Sequence, residues 1–350
     1  MKKIIPILIL GTFFVGGCCS MCMDDSKTDA EGFTYLDGQQ VAADAPSDWY
    51  IIRYEQPSTE PFTDSRKNFQ RWLFTEIRQL KDSVTVVEDG VLKKQKRFVP
   101  GRNWRKWLRP GARNVRIKFV GEDYSLAADG LAQVPAGFTP LFNGKDLAGW
   151  RGCSREEKFN DPFVRREMKP EKIKELQAKA DELMKAHWHV RDGALFFDGL
   201  EGGYSIAAVK DYGNVEIIAD WRLLRVYGDS GFYLRGMPQV QIWDPNMWNG
   251  LGSGCIWNNP DELFAATECA DNPIGDWNTC RMRIVGDRVS VWLNGVKVVD
   301  NIVYQNYRDP EKGIPACDRF ELQCHGDPVE FRNIFVKELP CGNIHVNVHK

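Results

Sequence analysis

Along the second half of the chain, apolar and polar side chains alternate with a period of two. In NVEIIADWRLL, Val215, Ile217, Ala219 and Trp221 fall on one side and Glu216, Ile218, Asp220 and Arg222 on the other. In TCRMRIVGDRVSVWLNGVKVVDN, Cys280, Met282 and Ile284 oppose Arg281 and Arg283. After Gly286-Asp287, Val289, Val291 and Leu293 alternate with Arg288, Ser290 and Trp292. A pleated strand imposes that period, because successive side chains leave by opposite faces. Asn294-Gly295 is the pair preferred in a two-residue hairpin, with Val296 and Val298 on the return. RFELQCHG and VEFRNIFVKEL supply two more strands. Antiparallel strands with one apolar face pair into a sandwich.

One helix interrupts the pattern. KPEKIKELQAKADELMKAHWHV has Pro170 near its start and an apolar stripe of Ile173, Leu176, Ala180, Leu183 and Met184, which predicts an insertion packed on the sandwich. Its end carries His187 and His189, read as structural. Upstream, NFQRWLFTEIRQL places Phe69, Trp72, Leu73, Ile77 and Leu80 at helical spacing and predicts a helix. VTVVEDGVLKKQKRFV predicts two strands about an Asp-Gly turn. RNWRKWLRPGARNVRIKFV is basic with Trp104 and Trp107 interleaved; it fits a strand edge packing on the main domain, or a surface for anionic lipid or polysaccharide. The expected organisation is a small α+β module over 48–134, a β-sandwich over 136–339 and a tail over 340–350.

The N-terminus reads as a targeting signal. MKK precedes the apolar run IIPILILGTFFVGG, too short to span a bilayer comfortably. VGGCCS resembles the cleavage and lipidation site of bacterial lipoproteins, making 1–17 a signal peptide and Cys18 the lipidated first residue. An ordinary secretory signal is the alternative, and either reading exports the protein. Residues 18–47, small, polar and acidic, are then expected to be a flexible tether. Ten cysteines are present, without the paired CxxC spacing of a structural zinc; the scattered ones read mostly as small buried hydrophobes. With 46 basic and 48 acidic residues, nothing marks a nucleic-acid partner. No GxSxG, GxGxxG, P-loop or HExxH motif is present, which weakens serine-hydrolase, nucleotide and zincin readings.

The candidate chemistry concentrates in GDSGFYLRGMPQVQIWDP, residues 228–245. With Gly236-Met237-Pro238 as the turn, Tyr233, Arg235, Gln239, Gln241 and Trp243 share a face, and Asp244 follows at the strand end. In FELQCHG, Glu321, Gln323 and His325 share a face. In a sandwich the two polar faces would form one concave surface. Each residue also has a plainer reading. Arg235 fits a salt-bridged strand residue, His325 a turn contact, Glu321 a structural carboxylate and Asp244 a turn residue before Pro245. Tyr233 and Trp243 pack structurally or stack on a sugar. Asp229 orients Arg235 or belongs to a bulge, and Arg332 pairs with a carboxylate and supports the site from behind.

The motifs GFTPLFNGKDLAGW, HWHVRDGALFFDG, GDSGFYLRG, QVQIWD, GDWN, VWLNGVKVVDN and ELQCHGDPVEFRNIFVKEL occur in an order that resembles the 3-keto-disaccharide hydrolase domain family, over residues 136–339. The resemblance implies a concanavalin A-like jelly-roll fold and glycosides bearing a ketone at carbon 3. Such a ketone acidifies the carbon 2 proton, so cleavage needs a base, an acid for the leaving oxygen, and a group stabilising the enediolate. Asp244, His325, Glu321 and Arg235 are the expected catalytic set, with Tyr233, Gln239, Gln241, Trp243 and Gln323 binding the sugar. Asp244 with Glu321 or His325 would also permit a divalent metal ion polarising the ketone. Many members carry glutamate where this chain has Gln239, and an amide binds hydroxyls but cannot serve as a base. A non-catalytic carbohydrate-binding lipoprotein is the competing reading.

Overall fold

The computed structural model describes residues 28–29, 31, 33–36, 49–58, 72–80, 83–97, 107–121, 124–200, 204–247, 250, 252–259 and 266–340. In chain order the first strands are β1 (Thr34–Tyr35), β2 (Tyr50–Pro57), β3 (Trp72–Leu80), β4 (Ser83–Glu88), β5 (Val91–Arg97) and β6 (Arg113–Phe119). Then come β7 (Thr139–Pro140), β8 (Trp150–Gly152), α1 (Pro162–Glu167), α2 (Pro170–His187), β9 (Trp188–Arg191) and β10 (Ala194–Phe197). The remainder is β11 (Ile206–Tyr212), β12 (Val215–Leu223), β13 (Asp229–Tyr233), β14 (Gln239–Trp243), β15 (Ile256–Trp257), β16 (Asn278–Val285), β17 (Arg288–Leu293), β18 (Val296–Val303), β19 (Asp318–Cys324) and β20 (Val329–Glu338).

Two antiparallel sheets make the jelly-roll sandwich. One runs β18-β17-β16-β12-β20-β10-β9, with β7 on β20; the other runs β15-β14-β13-β19-β11-β8. The period-two residues meet between them: Val215, Ile217, Ala219, Met282, Ile284, Val289 and Val291 are fully buried. Phe232 of one sheet packs edge-on against Phe331 of the other, with ring centres 5.6 Å apart. Asn294-Gly295 takes left-handed backbone at both positions, as its two-residue hairpin requires. Helix α2 buries Leu176, Ala180 and Met184 against the sandwich. The sequence pattern did not announce α1, which starts with Asp161 accepting the backbone N–H groups of Phe163 (2.9 Å) and Val164 (3.3 Å).

Preceding the sandwich is a six-stranded antiparallel sheet, β1-β6-β2-β3-β4-β5. Two expectations are corrected here. The predicted helix is instead β3, paired residue for residue with β2 and β4, so the described part of 48–134 holds no α-helix. The expected tether contributes β1, a buried Phe33, and Glu31, which sits 2.9 Å from Arg53. Cys18, Trp104 and Cys341 lie outside the described residues. Among those described, no helix is long and apolar enough to cross a membrane. The cysteines that are described, Cys153, Cys255, Cys269, Cys280, Cys317 and Cys324, are free thiols.

This first sheet packs on the outer face of β12 and β20 through paired charge. Glu330 accepts from Arg222 (2.6 Å) and Arg191 (2.5 Å). Arg53 reaches Glu76 and Asp276, each at 2.7 Å, and Arg116 reaches Asp276 at 2.8 Å. Gly275 fits the same seam, since a Cβ there would lie 2.0 Å from the Phe74 ring.

Candidate functional site

The concave sheet keeps strict alternation along its central strands. Phe320, Leu322 and Cys324 point into the core, so Arg319, Glu321 and Gln323 take the outer face and His325 follows at the strand end. Across the ladder, Glu321 pairs with Tyr233 and Gln323 with Gly231, while Gly231 pairs with Gln241 on β14. Register alone therefore brings Asp229, Tyr233, Gln239, Gln241, Gln323 and His325 onto the wall of one groove. The groove holds about 690 Å³ and is closed by residues from elsewhere: Arg155, Lys158, Asn160, Asp161 and Phe163 before and within α1, and Tyr307 and Arg308. That volume suits a sugar-sized ligand.

Gly231 matters at this floor. A Cβ there would stand 3.0 Å from the Val240 carbonyl and 3.1 Å from Oε1 of Gln323, so a larger residue would intrude where the two amide-bearing strands meet.

The polar contacts form a short network. Gln239 donates to Oε1 of Gln241, and Gln241 donates to Oδ1 of Asp229 at 2.7 Å. Oδ2 of Asp229 lies 4.0 Å from Nδ1 of His325, an ion-pair distance that one water can bridge. The His325 side chain is 35% exposed and so reachable by a ligand. Gln323 donates to the Tyr233 hydroxyl at 3.3 Å, leaving that O–H to donate elsewhere. Burial pushes the Tyr233 phenol well above its ordinary range, keeping it a neutral donor. Burial also raises Glu321 towards its protonated form, against Arg319 and Arg165. Oε1 of Glu321 and Oε1 of Gln323 are buried without a hydrogen-bond partner among the described residues.

Five of the sequence-predicted residues are placed away from this groove, the first being Glu321, which is buried behind it and does not line it. Asp244 is fully buried, with Oδ2 accepting from the Tyr227 backbone and Oδ1 from the backbone and side chain of Asn246, all at 2.8 Å. It organises the turn after β14 and does not stand at the rim. Arg235, past the end of β13, donates to the carbonyls of Gly213 (3.0 Å), Gly286 (2.9 Å) and Pro315 (3.2 Å), tying three loops together. Trp243 is covered by the returning chain: its indole donates to Gly252 O, and Trp257 meets it edge-on at 5.5 Å. Arg332 lies on the outer face of the other sheet, 4.0 Å over Trp277; it has the expected carboxylate partner, Asp220 at 3.7 Å, but not behind the groove. With Asp244 withdrawn, the donors imagined for a divalent metal do not converge, and the described residues contain no cluster of three or more metal-binding side chains.

Residues 137–337 match the family model of the 3-keto-alpha-glucoside-1,2-lyase-like domain, more than half the chain. The chain belongs to this family. The lyase-like family supports a carbohydrate-active role, catalytic or binding. Among solved structures, two candidate glycosyl hydrolases from Parabacteroides distasonis ATCC 8503 are similar. One is 22% identical, covering 58% of this chain and 94% of its own, with a TM-score of 0.43. The other is 25% identical, covering 44% and 91%, with a TM-score of 0.37. A carbohydrate binding module from Bacillus subtilis is 11% identical, covering 43% and 91%, with a TM-score of 0.31. No curated protein matches the chain.

Pattern reading missed the groove residues of this lyase-like domain that lie outside its central strands: Arg155, Lys158, Asp161, Tyr307 and Arg308 in loops, and Trp257 on the short edge strand β15. The only sequence trace was composition, namely the polar-aromatic runs WNN and NYRD.

Proposed function

We propose that the groove binds a glycoside whose sugar carries a ketone at carbon 3 and cleaves its carbon 1 bond by elimination followed by hydration. One observation carries this reading: register places an accessible imidazole, its carboxylate and a neutral phenol around one sugar-sized groove in a domain of this family. His325 would take the carbon 2 proton, and the C–H electron pair would form the carbon 2–carbon 3 double bond of an enediolate. Asp229 would stabilise the resulting imidazolium. Tyr233 and the amides of Gln239 and Gln323 would donate to the developing oxyanion. As the ketone re-forms, the carbon 1–carbon 2 double bond forms and the carbon 1 oxygen leaves, protonated by Tyr233. Water then adds its oxygen to carbon 1 and a proton to carbon 2, giving net hydrolysis. Trp257 and Tyr307 offer apolar faces for sugar rings.

The test is direct: incubate the protein with a 3-keto-disaccharide and with its unoxidised parent. Cleavage of the keto sugar alone is expected. Failure to cleave it, with or without added divalent metal, overturns the proposal. A binding-only reading has one observation in its favour: Gln239 is an amide, and Asp244 and Arg235 belong to the framework, so few proton-transfer groups remain in the groove. Binding of the keto sugar without turnover would select it. We propose further that the protein is exported and held at a membrane by lipid on Cys18. Cys18→Ala should move it to the soluble fraction, and unchanged membrane association would refute the anchor.

A further inference from the structure

We propose that the groove wall at residues 155–158 is a subsite for an anionic substituent on the glycoside, a carboxylate or a sulfate ester; this rests on the reading of the groove as a glycoside site. Four cations line the groove: Arg155, Lys158, Arg308 and Lys312. Arg308 is held by Asp161 at 3.1 Å, and Lys312 by Asp309 at 3.2 Å. Arg155 and Lys158 have no ion pair and no side-chain hydrogen bond among the described residues, although two glutamates stand between them in the sequence.

Those glutamates are turned away. Glu156 pairs with Lys179 at 3.2 Å and Glu157 with Lys172 at 2.7 Å, both on α2. The segment thus sorts its charges, acids to the helix and bases to the groove. The sorting is held by strained backbone. Glu157 (φ 48, ψ 29) and Lys158 (φ 58) are consecutive left-handed residues, and neither is glycine. Such conformations persist where the surroundings over-determine them, and they concentrate at ligand sites. Here the Glu156 N–H bonds Ser154 Oγ at 3.1 Å, the Phe159 N–H bonds Glu156 O at 2.9 Å, and the Phe159 side chain is fully buried. Two unpaired cations on a rigid turn, facing a groove of amides and aromatic rings, fit an oxyanion attached to a sugar.

The test needs no turnover. Binding to the full chain is measured calorimetrically for phenyl glucoside, phenyl glucuronide and phenyl glucoside 6-sulfate, each as both anomers. One of the anionic probes should bind about tenfold or more tightly than its neutral counterpart, weakening in about 0.5 M salt. The better anion identifies the source as a uronic acid or a sulfated sugar. The preference should vanish in R155A/K158A and fall in Lys158→Gly, which retains the left-handed turn and removes the ammonium. Both positions are exposed, so the melting temperature should hold. Equal binding of neutral and anionic probes, or a preference that survives in R155A/K158A, overturns the subsite and leaves the glycoside reading standing. Failure of all three probes to bind overturns the subsite, while the glycoside reading falls only if the 3-keto-disaccharide is neither bound nor cleaved.

Discussion

The sandwich has two outward faces, both polar in sequence, and they are used in opposite ways. Around β12 and β20 the charges are covered by the first sheet and matched: Glu330 by Arg222 and Arg191, and, at the seam with the covering sheet, Arg53 by Glu76 and Asp276 and Arg116 by Asp276. On β13, β14 and β19 the outward groups are three amides, a phenol and the charged Asp229, Arg319 and Glu321, with the His325 imidazole just past β19, and buried oxygens of Glu321 and Gln323 have no partner among the described residues. A buried polar group left unsatisfied is costly, so folded structures pair nearly all of them. The matched face is therefore framework, and the unmatched one is where a ligand can complete the bonding.

Breaking the matched face should have the largest effect. Arg222→Ala strips Glu330 of a buried partner at 2.6 Å and should cost about 3–5 kcal/mol in urea unfolding. A cost near zero would mean that this pair does not hold β12 and β20 together beneath the first sheet. The same pair sets an acid limit. Burial alone would raise the Glu330 carboxyl, but Arg222 and Arg191 outweigh it and hold it at about 2, below its ordinary 4.5. Between those values the unfolded chain binds a proton that the folded chain does not. This contribution is therefore complete above about pH 4.5 and is lost as pH falls towards about 2. Glu330→Gln should flatten that part of the stability profile.

Breaking the unmatched face should spare stability and remove turnover. His325→Ala should lower kcat/KM on a 3-keto-glycoside by about 10²–10⁴-fold, the range for a lost general base, with unfolding unchanged. A smaller third effect separates framework from site within one hairpin. Asp244→Ala orphans the Tyr227 and Asn246 N–H groups and should cost about 1–3 kcal/mol of stability, with kcat unaltered in the folded fraction. A rate loss without a stability loss would return Asp244 to the chemistry.

The same contrast explains what could be read from sequence. Strands with one apolar face, such as β12, β16 and β17, declare themselves through alternation. The predicted helix failed at β3 because that strand lies mid-sheet with Thr75, Glu76 and Gln79 buried beside Phe74 and Ile77. Burial of polar residues, Glu76 by ion pairs with Arg53 and Arg78 and Gln79 by a hydrogen bond from Tyr50, hides the period of two, and the remaining apolar spacing mimics a helix. In the site, parity held for Tyr233, Gln239, Gln241, Glu321 and Gln323, which lie within strands. It failed for Arg235 and Asp244, each just beyond a strand end, and for Trp243, where a later segment folds over the expected face. The groove's outer wall comes from loops distant in sequence, whose approach no local pattern encodes.

The smallest expected effect gives the sharpest comparison. Gln239 donates to Oε1 of Gln241, which in turn spends its amide on Asp229. Gln239→Glu would remove the first donor and set a carboxylate against a carbonyl oxygen, with the Asp229 charge at the end of the same relay. The expected cost is about 0.5–1.5 kcal/mol of stability, the worth of one hydrogen bond, and no gain in rate. The pH at which the new carboxyl titrates should lie above the ordinary range, because a neighbouring carboxylate disfavours its ionised form. Measured turnover decides between the two readings of the groove. If the substitution leaves the rate unchanged or lowered, the amide is part of a working relay and proton transfer stays with His325. If the substitution instead creates or raises activity, position 239 is where the base belongs. The natural amide would then mark a groove that holds its sugar without cutting it, and the unmatched face would serve recognition alone.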